Sequence, residues 1–198
     1  ACLFSFACDT LERELEATGQ KKLLDAIEIP LARVLGSMEL CGFLADSEGL
    51  GALSEELGAR IKVIEREIYD LVGYEFNLNS PKQLGTALFE KLGLPAKKKT
   101  KSGYSTGAEV LESLRYAHPA VSLLLSYRQL AKLKSTYADG LRDCVASDGR
   151  IHSTFNQTEA RTGRISSSEP NLQNIPVRTE EGKRLREYFT APDGKVLC

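Results

Sequence analysis

DSEGLGALSEELGARIKVIEREIYDLVG, residues 46–73, is the stretch of sequence that decides the fold. Its apolar side chains recur at steps of three and four residues, which is the spacing of one face of an α-helix. They are Leu50, Leu53, Leu57, Ile61, Ile64, Ile68 and Leu71. Asp46 is a suitable N-cap and Gly73 a suitable stop, so we predict one helix between them. At ~1.5 Å per residue its ~26 residues would reach ~39 Å, and so long a helix usually projects from a domain or spans one.

Two shorter helices are predicted before the long one. Residues 9–18 are amphipathic, and residues 27–42 carry apolar side chains at helical spacing, with a kink at Pro30. The apolar opening, residues 1–8 (ACLFSFAC), lacks the basic start of a signal peptide. We interpret it as a strand or the edge of a core.

Further helices are predicted after the long one. Capping boxes at residues 80–83 (SPKQ) and 106–109 (TGAE) each precede an apolar run, with Ser80 and Thr106 as the N-caps. Another helix begins with a proline and covers residues 119–137. If this helix pairs antiparallel with the long helix, the chain between them forms the tip of an arm.

The character of the chain changes near Gly149. Residues 151–157 (IHSTFNQ) alternate and predict one strand, and a short charged helix is predicted over residues 180–186. A turn at Asp193 and Gly194 would close a hairpin near the end of the chain. The predicted fold class is therefore mainly α with a small α+β C-terminal part, in which a long antiparallel helical arm precedes short antiparallel strands.

The composition is that of an ordinary globular protein. Of the 198 residues, 42% are hydrophobic and 27% are charged, which suits one domain or two small ones and argues against disorder. No apolar run approaches the roughly 20 residues of a membrane span. The five scattered cysteines form no Cys-x-x-Cys, which gives structural zinc little support and suggests reduced thiols in the cytoplasm. Because residue 1 is Ala and the only methionine is Met38, we expect a piece of a longer protein.

The net charge of −1 hides a strong asymmetry. Residues 1–75 carry 7 basic and 15 acidic side chains, net −8, whereas residues 76–150 carry 12 and 6, net +6. The last 48 residues carry 7 and 6, net +1. The densest positive run consists of four lysines within residues 97–101. This run suits a contact to a polyanion, and a solvated surface loop explains it equally well.

The usual catalytic motifs are missing from the sequence. It contains no Walker-type phosphate loop, no Gly-x-Gly-x-x-Gly, no His-Glu-x-x-His and no Gly-x-Ser-x-Gly elbow. His118 precedes a proline at a helix start and His152 lies in the predicted strand, so we favour a structural role for both. We assign no catalytic and no metal-binding residue.

Polar side chains are dense between residues 162 and 178. They are Thr162, Gly163, Arg164, Ser166, Ser167, Ser168, Asn171, Gln173, Asn174 and Arg178. Arg, Asn and Gln can donate hydrogen bonds to the minor-groove acceptors that all base pairs share, so this set could hold DNA without reading its sequence. On residue type alone, a loop whose Asn and Gln side chains satisfy turns is the better explanation.

The order of these residues changes that interpretation. RTGRISSSEPNLQNIPVR, residues 161–178, closely resembles the start of the palm in bacterial family A DNA polymerases. Residues 127–137 (YRQLAKLKSTY) resemble the thumb-to-palm helix of that family, and residues 76–84 (FNLNSPKQL) resemble the tip of its thumb. Residues 27–42 resemble the helix that leads into its polymerase domain.

The resemblance implies three parts and a DNA-binding role. Residues 1–24 would end an exonuclease-like domain, residues 25–148 would form the helical thumb region, and residues 149–198 would be the incomplete N-terminal part of the palm. At the tip of the thumb, the residues expected to face the DNA backbone are Asn77, Asn79, Ser80 and Thr106. At its base they are Arg128, Lys132, Lys134, Ser135, Thr136 and Tyr137. In the palm, the residues expected near primer, template or nucleotide are Thr162, Arg164, Asn171, Gln173, Asn174 and Arg178.

The resemblance also implies a reaction that this chain does not complete. Family A polymerases join nucleotides by two-metal chemistry, and the first metal-binding aspartate would follow just after Cys198. We expect the parent to be a DNA-directed DNA polymerase of replication and repair. It would use Mg²⁺, deoxynucleoside triphosphates and primer-template DNA, as a cytoplasmic monomer without membrane contact. This chain alone is expected to be inactive.

Two other functions stay open at this point. A helical adapter would bind a protein along the stripe from Leu50 to Leu71, although such a stripe is more often core. A stand-alone nucleic-acid-binding module would have no catalytic parent. The adapter predicts indifference to DNA, and the module predicts a gene that stops near Cys198.

Overall fold

The chain is mainly helical in a computed structural model that describes residues 2–96, 99–100, 103–177, 179–192 and 194–195. The α-helices are α1 (Cys2–Ala17), α2 (Lys21–Leu23), α3 (Ile29–Cys41), α4 (Ser47–Val72), α5 (Pro81–Gly85), α6 (Ala108–Ser113), α7 (Pro119–Lys132), α8 (Gly140–Asp143) and α9 (Glu180–Glu187). Segments of π-helix continue three of them, and we label these π1 (Leu24–Glu28), π2 (Thr86–Lys91) and π3 (Leu133–Asp139).

The strands are short and pair in antiparallel twos. They are β1 (Phe43–Leu44), β2 (Lys99–Thr100), β3 (Gly103–Tyr104), β4 (Arg150–Ile151), β5 (Thr154–Asn156) and β6 (Ser166–Ser168). The pairs are β1 with β4, β2 with β3, and β5 with β6. This architecture confirms the predicted fold class, mainly α with a small strand-containing part.

The chain divides into two compact units, each assembled from separate stretches. The first unit comprises Ala1–Ala45, Cys144–Ile175 and Phe189–Cys198, and the second unit comprises Asp46–Asp143 and Pro176–Tyr188. The predicted domain boundaries after residues 24 and 148 stay a prediction.

The second unit is built on the long helix, and the prediction for residues 46–73 is confirmed. The carboxylate of Asp46 caps α4 by accepting from the Gly49 N–H at 2.9 Å, and Gly73 ends it in the left-handed conformation, with φ 89°. The helix pairs antiparallel with α7, π3 and α8. Near its start Ser54 bonds Asp139, and near its end Ile68 shares a core cluster with Tyr127.

A core of its own holds the far end of the second unit together. Ends of α4 and α7 contribute to it, and so do α5, π2 and α6; its most buried members include Leu84, Ala87, Leu88, Leu111 and Val121. The Phe89 and Tyr104 rings pack with their centroids 4.9 Å apart. Leu78, a member of this core that is 3% exposed, anchors the loop that carries Asn77, Asn79 and Ser80.

The two predicted capping boxes have different outcomes. Ser80 caps α5, but the Gln83 side chain accepts from the Asn77 N–H at 2.7 Å instead of returning to Ser80. The prediction that Thr106 caps a helix is wrong, because α6 starts one residue later, with Gly107 at its N-cap. Thr106 is instead buried at 6% exposure.

α9 is held against α4 by charged pairs. Thr179 caps α9 by accepting from the Gly182 N–H at 3.1 Å. Arg184 donates two parallel hydrogen bonds to the Glu56 carboxylate, at 2.9 and 2.8 Å. The predicted short charged helix is therefore confirmed.

The first unit corrects two predictions about strands. Cys2–Ala17 is a single helix, so the interpretation of residues 1–8 as a strand or core edge is wrong. A short apolar run does not by itself distinguish strand from helix, and here the amphipathic stretch after it continues the same helix. Phe6 in that run is 72% exposed.

The predicted single strand of residues 151–157 is also wrong, because it is two strands with different partners. β4 pairs with β1, and β5 pairs with β6. Between them, His152 and Ser153 leave the ladder to make other hydrogen bonds: Ser153 donates to the Pro170 carbonyl at 2.7 Å. Of the predicted hairpin near the end of the chain, the turn residue Asp193 and residues 196–198 after the turn lie outside the described residues.

Candidate nucleic-acid interface

A polar stripe runs along α7 and π3 on the side opposite the buried residues. Lys132 follows Arg128 by four residues, and Ser135 and Thr136 follow Lys132 by three and four residues, which places all four on one helix face. Lys132, Ser135 and Thr136 are exposed and Arg128 is half-buried. The opposite face packs into the core through Tyr127, Leu130, Leu133 and Tyr137.

Arg128 is anchored at the start of this stripe. Its Nη1 donates to the Thr106 carbonyl oxygen at 2.6 Å, and burial lowers the pKa of its guanidinium from the ordinary value. A guanidinium carries five N–H donors in a fixed plane, so one such anchor orients the group and leaves donors for an anion. Thr106 thus contributes its backbone to this arrangement.

Lys132 differs sharply from Lys134, its neighbour two residues on. Lys132 is exposed and has no ion-pair partner in the part of the chain that the structure describes. Lys134 turns toward α4, where its Nζ donates to the Asp139 carboxylate at 2.7 Å and to the Ser54 hydroxyl at 2.8 Å. Of these two lysines, Lys132 is therefore the one that presents a charge without an ion-pair partner to solvent.

Asp139 shows the effect of this pairing. Burial raises the pKa of its carboxyl, but the hydrogen bonds from Lys134 and Ser54 lower it, and the net result lies below the ordinary value. The Asp139 side chain is thus a carboxylate at neutral pH. Sequence reasoning missed Ser54 and Asp139; the only signal was a small polar residue at a buried position of α4.

At the tip, the predicted contact residues also hold a turn. The Asn77 side chain accepts from the Asn79 N–H at 2.9 Å, and Ser80 Oγ accepts from the Gln83 N–H at 3.5 Å. Asn77 and Asn79 are exposed and Ser80 is half-buried. Asn77 and Ser80 thus each use a side-chain oxygen inside the turn, whereas Asn79 contributes its backbone N–H.

Two of the predicted contact residues are buried. Thr106 is 6% exposed and Tyr137 is 5% exposed. Both side chains pack inside the second unit, so the structure does not place them with the exposed stripe. A role for them in DNA contact stays a prediction.

The polar loop of the first unit combines turn formation with exposure. Thr162 and Arg164 are exposed. The Asn171 side chain accepts from the Gln173 N–H at 3.0 Å, and Gln173 Nε2 donates to the Ile165 carbonyl at 2.7 Å. Asn174 is exposed. Arg178 lies outside the described residues, as do Lys97, Lys98 and Lys101 of the lysine run.

The described residues contain no group of three or more His, Cys, Asp or Glu side chains that could hold a metal ion. His118 is a helix cap, since its Nδ1 accepts from the Ala120 N–H at 3.2 Å.

None of the described helices combines the length and apolarity needed to cross a bilayer.

Comparison with known proteins assigns the chain to a family. The sequence profile described as DNA polymerase family A matches residues 47–198. The chain belongs to DNA polymerase family A. This family A chain is 50% identical over 182 residues to DNA polymerase I of Bacillus subtilis (strain 168), an alignment that covers 91% of the chain and 21% of that relative. It is 51% identical over 193 residues to DNA polymerase I of Geobacillus stearothermophilus, with 96% and 22% covered.

The family A chain also has a close relative of known structure. It matches the POL domain of Pol1 from M. smegmatis in complex with DNA primer-template and dNTP, with a TM-score of 0.89 and 45% sequence identity. That match covers 99% of the chain and 35% of the POL-domain chain. The chain thus spans about a fifth of the length of the curated relatives described above.

Family membership and burial argue together against the adapter. Leu50, Leu53 and Leu57 of the α4 stripe are at most 3% exposed, so this part of the stripe is core and not a free docking surface. The resemblance to family A polymerases is confirmed.

Proposed function

We propose that this chain is the thumb and the start of the palm of a bacterial DNA-directed DNA polymerase, and that it holds primer-template DNA. The observation that carries the proposal is the fold. Over 99% of its length the chain matches a polymerase domain whose structure contains DNA primer-template and dNTP, with a TM-score of 0.89.

The exposed stripe of α7 and π3 supports a role in contacting phosphates. Arginine and lysine on one helix face, followed by two exposed hydroxyl side chains, provide donors for phosphate oxygens without reading bases. Such contacts release counterions, so the affinity should depend on salt and not on sequence. A polymerase that copies any template needs this kind of binding.

The loop of residues 162–174 supports a second set of contacts. Arg164 is exposed beside the exposed Thr162, and the Asn171 to Gln173 turn holds the loop in shape. We assign Arg164 to the minor groove near the primer terminus, with Asn171, Gln173 and Asn174 near template or primer. We assign Arg178 to the side of the palm that faces the incoming nucleotide.

The parent enzyme would transfer a nucleotide from a deoxynucleoside triphosphate to the primer 3′ end. It would use Mg²⁺ held by residues that we do not assign in this chain. The described residues contain no cluster of three or more potential metal ligands. We assign DNA binding and no chemical step to this chain, and expect it to be inactive alone. The parent would act as a monomer in the cytoplasm.

The test is fluorescence anisotropy of a labelled primer-template duplex titrated with the 198-residue chain at roughly 50 and roughly 200 mM salt. We compare wild type with Lys132→Ala and with Lys62→Ala, a matched control on an exposed position of α4. Lys132→Ala should weaken binding and reduce the slope of log Kd against log salt by about 0.9, because one phosphate contact is lost. Lys62→Ala should leave the slope unchanged.

Arg164→Ala is the corresponding variant in the first unit. It should weaken binding to two unrelated duplex sequences by the same factor, because minor-groove acceptors are shared by all base pairs. A wild-type chain that is folded by circular dichroism and does not bind duplex at the lower salt would contradict the proposed function.

A further inference from the structure

The segment that carries part of the proposed DNA contact also contains an internal polar network. Ser54 of α4 and Lys134 and Asp139 of π3 are mutually hydrogen-bonded, and we call them the Ser54–Lys134–Asp139 bridge. Lys134 Nζ donates to Asp139 Oδ2 at 2.7 Å and to Ser54 Oγ at 2.8 Å, and Ser54 Oγ donates to Asp139 Oδ1 at 2.5 Å. Both oxygens of the carboxylate are therefore occupied.

The surface of α4 accommodates the lysine stem. Gly58 lies one turn after Ser54, and a Cβ at Gly58 would come within 3.3 Å of Lys134 Cε. Ser54 itself is 5% exposed. Glycine and serine at this spacing thus allow the aliphatic part of Lys134 to lie on α4 with its ammonium group at Ser54.

The position of Lys134 is incompatible with a simultaneous phosphate contact through the same donors. Two of the three ammonium protons are committed to Ser54 and Asp139. The two charged side chains are about one-third exposed, 32% and 31%, so the pair is partly removed from water. Releasing Lys134 toward DNA would leave Asp139 without its partner.

The bridge instead constrains the segment around it. It joins residue 134, near the start of π3, to residue 139 at its end, and it ties both to α4. Ser135 and Thr136 lie between the two anchored positions and are exposed, and Lys132 directly precedes the segment. A π-helix is rare and mostly occurs as a single turn within an α-helix, so a side-chain bridge across it is a suitable constraint.

We propose that Ser54, Lys134 and Asp139 are positioning residues for DNA binding: they hold π3 so that Lys132, Ser135 and Thr136 face the phosphate backbone. Lys134 acts through the bridge and does not itself neutralise a phosphate. This inference rests on the proposed function and adds to it three residues whose effect on affinity is indirect.

Asp139→Asn distinguishes positioning from direct contact by the sign of its effect. If the bridge positions π3, loss of the charge weakens primer-template binding by about threefold to tenfold. If Asp139 merely withholds a phosphate-binding lysine, the same change strengthens binding and steepens the salt slope by about 0.9. Asp143→Asn is the matched control, because it removes the same charge from an exposed residue whose ion pair with Arg142 is long, at 3.8 Å.

Ser54→Ala gives the same test without any change of charge. It should weaken binding with an unchanged salt slope. Lys134→Met should do likewise, whereas Lys132→Met should reduce the slope by about 0.9. Lys134→Arg should recover most of the affinity, because it keeps a cation within reach of Asp139. The Lys134→Met/Asp139→Asn double variant should bind no more weakly than Lys134→Met, since both changes break one bridge.

Each outcome decides the inference. The inference is supported if Asp139→Asn and Ser54→Ala bind more weakly than Asp143→Asn with unchanged salt slopes, and if Lys134→Arg recovers the affinity. Any of three results overturns the inference and leaves the proposed function intact. They are tighter binding by Asp139→Asn, equal binding by Asp139→Asn and Asp143→Asn, and a reduced salt slope for Lys134→Met. If a circular dichroism melt shows that Asp139→Asn or Lys134→Met is unfolded at the assay temperature, Asp139→Glu or Lys134→Arg replaces it. The affinity and the slope of log Kd against log salt are then measured for the replacement. Failure of the folded wild type to bind overturns both.

Discussion

At the scale of single residues, His152 uses both of its ring nitrogens. Nδ1 lies 2.7 Å from the Glu39 carbonyl oxygen, and Nε2 lies 3.0 Å from Asp148 Oδ2. The hydrogen bond to the Glu39 carbonyl raises the pKa of the imidazole most, and the hydrogen bond to Asp148 raises it further. Both contacts are hydrogen bonds only when the ring carries two protons, so it is the protonated side chain that links α3 to the residues around β4.

We expect the stability contributed by His152 to depend on pH. Because its folded pKa is raised, the contribution is fully present below the unfolded value of about 6.5 and is lost as the pH rises through the folded pKa. The Tm difference between wild type and His152→Gln should be larger at about pH 5.5 than at about pH 8.5. Asp148→Asn should reduce this pH dependence, and an equal Tm difference at both pH values would contradict the expectation.

Replacement of two glycines by alanine should change the free energy of unfolding in opposite directions. A Cβ on Gly182 would lie 2.5 Å from the Pro176 carbonyl oxygen, a backbone atom that cannot swing aside, whereas a Cβ on Gly36 of α3 would meet nothing within 4 Å. Gly182→Ala should lower the free energy of unfolding by ~1–3 kcal/mol through overpacking. Gly36→Ala should raise it by ~0.5–1 kcal/mol through helix propensity. Urea denaturation measures both, and effects of the same sign would contradict this account.

At the scale of elements, the stripe of α4 is the best-predicted feature. Steps of three and four residues, an Asp cap and a terminal glycine specified a helix whose bounds the structure confirms. The stripe is not uniform, because Leu57 is 1% exposed and Leu71 is 41% exposed. Periodicity predicts which face is apolar, and only packing partners determine how far along the helix that face is covered.

This difference in burial predicts a difference in stability. Leu57→Ala should lower the free energy of unfolding by ~2–5 kcal/mol, because it removes a fully packed side chain and leaves a cavity. Leu71→Ala should cost less than ~1 kcal/mol. Urea denaturation checks both variants, because a change in the midpoint at an unchanged m value reports a change in stability. A large effect at Leu71 with none at Leu57 would mean that the stripe is packed differently.

The elements that sequence reasoning placed wrongly share one physical cause. Residues 1–8 are interpreted from the sequence as a strand or the edge of a core, yet Phe6 belongs to a helix. The predicted single strand of residues 151–157 is split at His152. In both places the local pattern is too short to determine the element. The outcome depends on what adjoins it, a continuing helix in one case and the carbonyl oxygen of Glu39 in the other.

At the scale of the whole molecule, the candidate interface was predicted as a list of residues and observed as groups with different surroundings. Lys132 and Arg164 are exposed as expected, whereas Thr106 and Tyr137 are buried and Lys134 is paired internally. A motif places residues in order along the chain, but helix rotation and the widening of π3 decide which side chains face solvent.

The sequence by itself determined the family, the long α4 helix and the mainly α fold class, because motif order, heptad-like spacing and helix caps are local properties of the chain. Only the tertiary structure decided which polar side chains are available to a ligand. Lys132 and Lys134 are two residues apart and chemically identical, yet one faces solvent and the other bonds Ser54 and Asp139. Ser54 lies 80 residues from Lys134 in the chain, and no local pattern contains a contact over that separation.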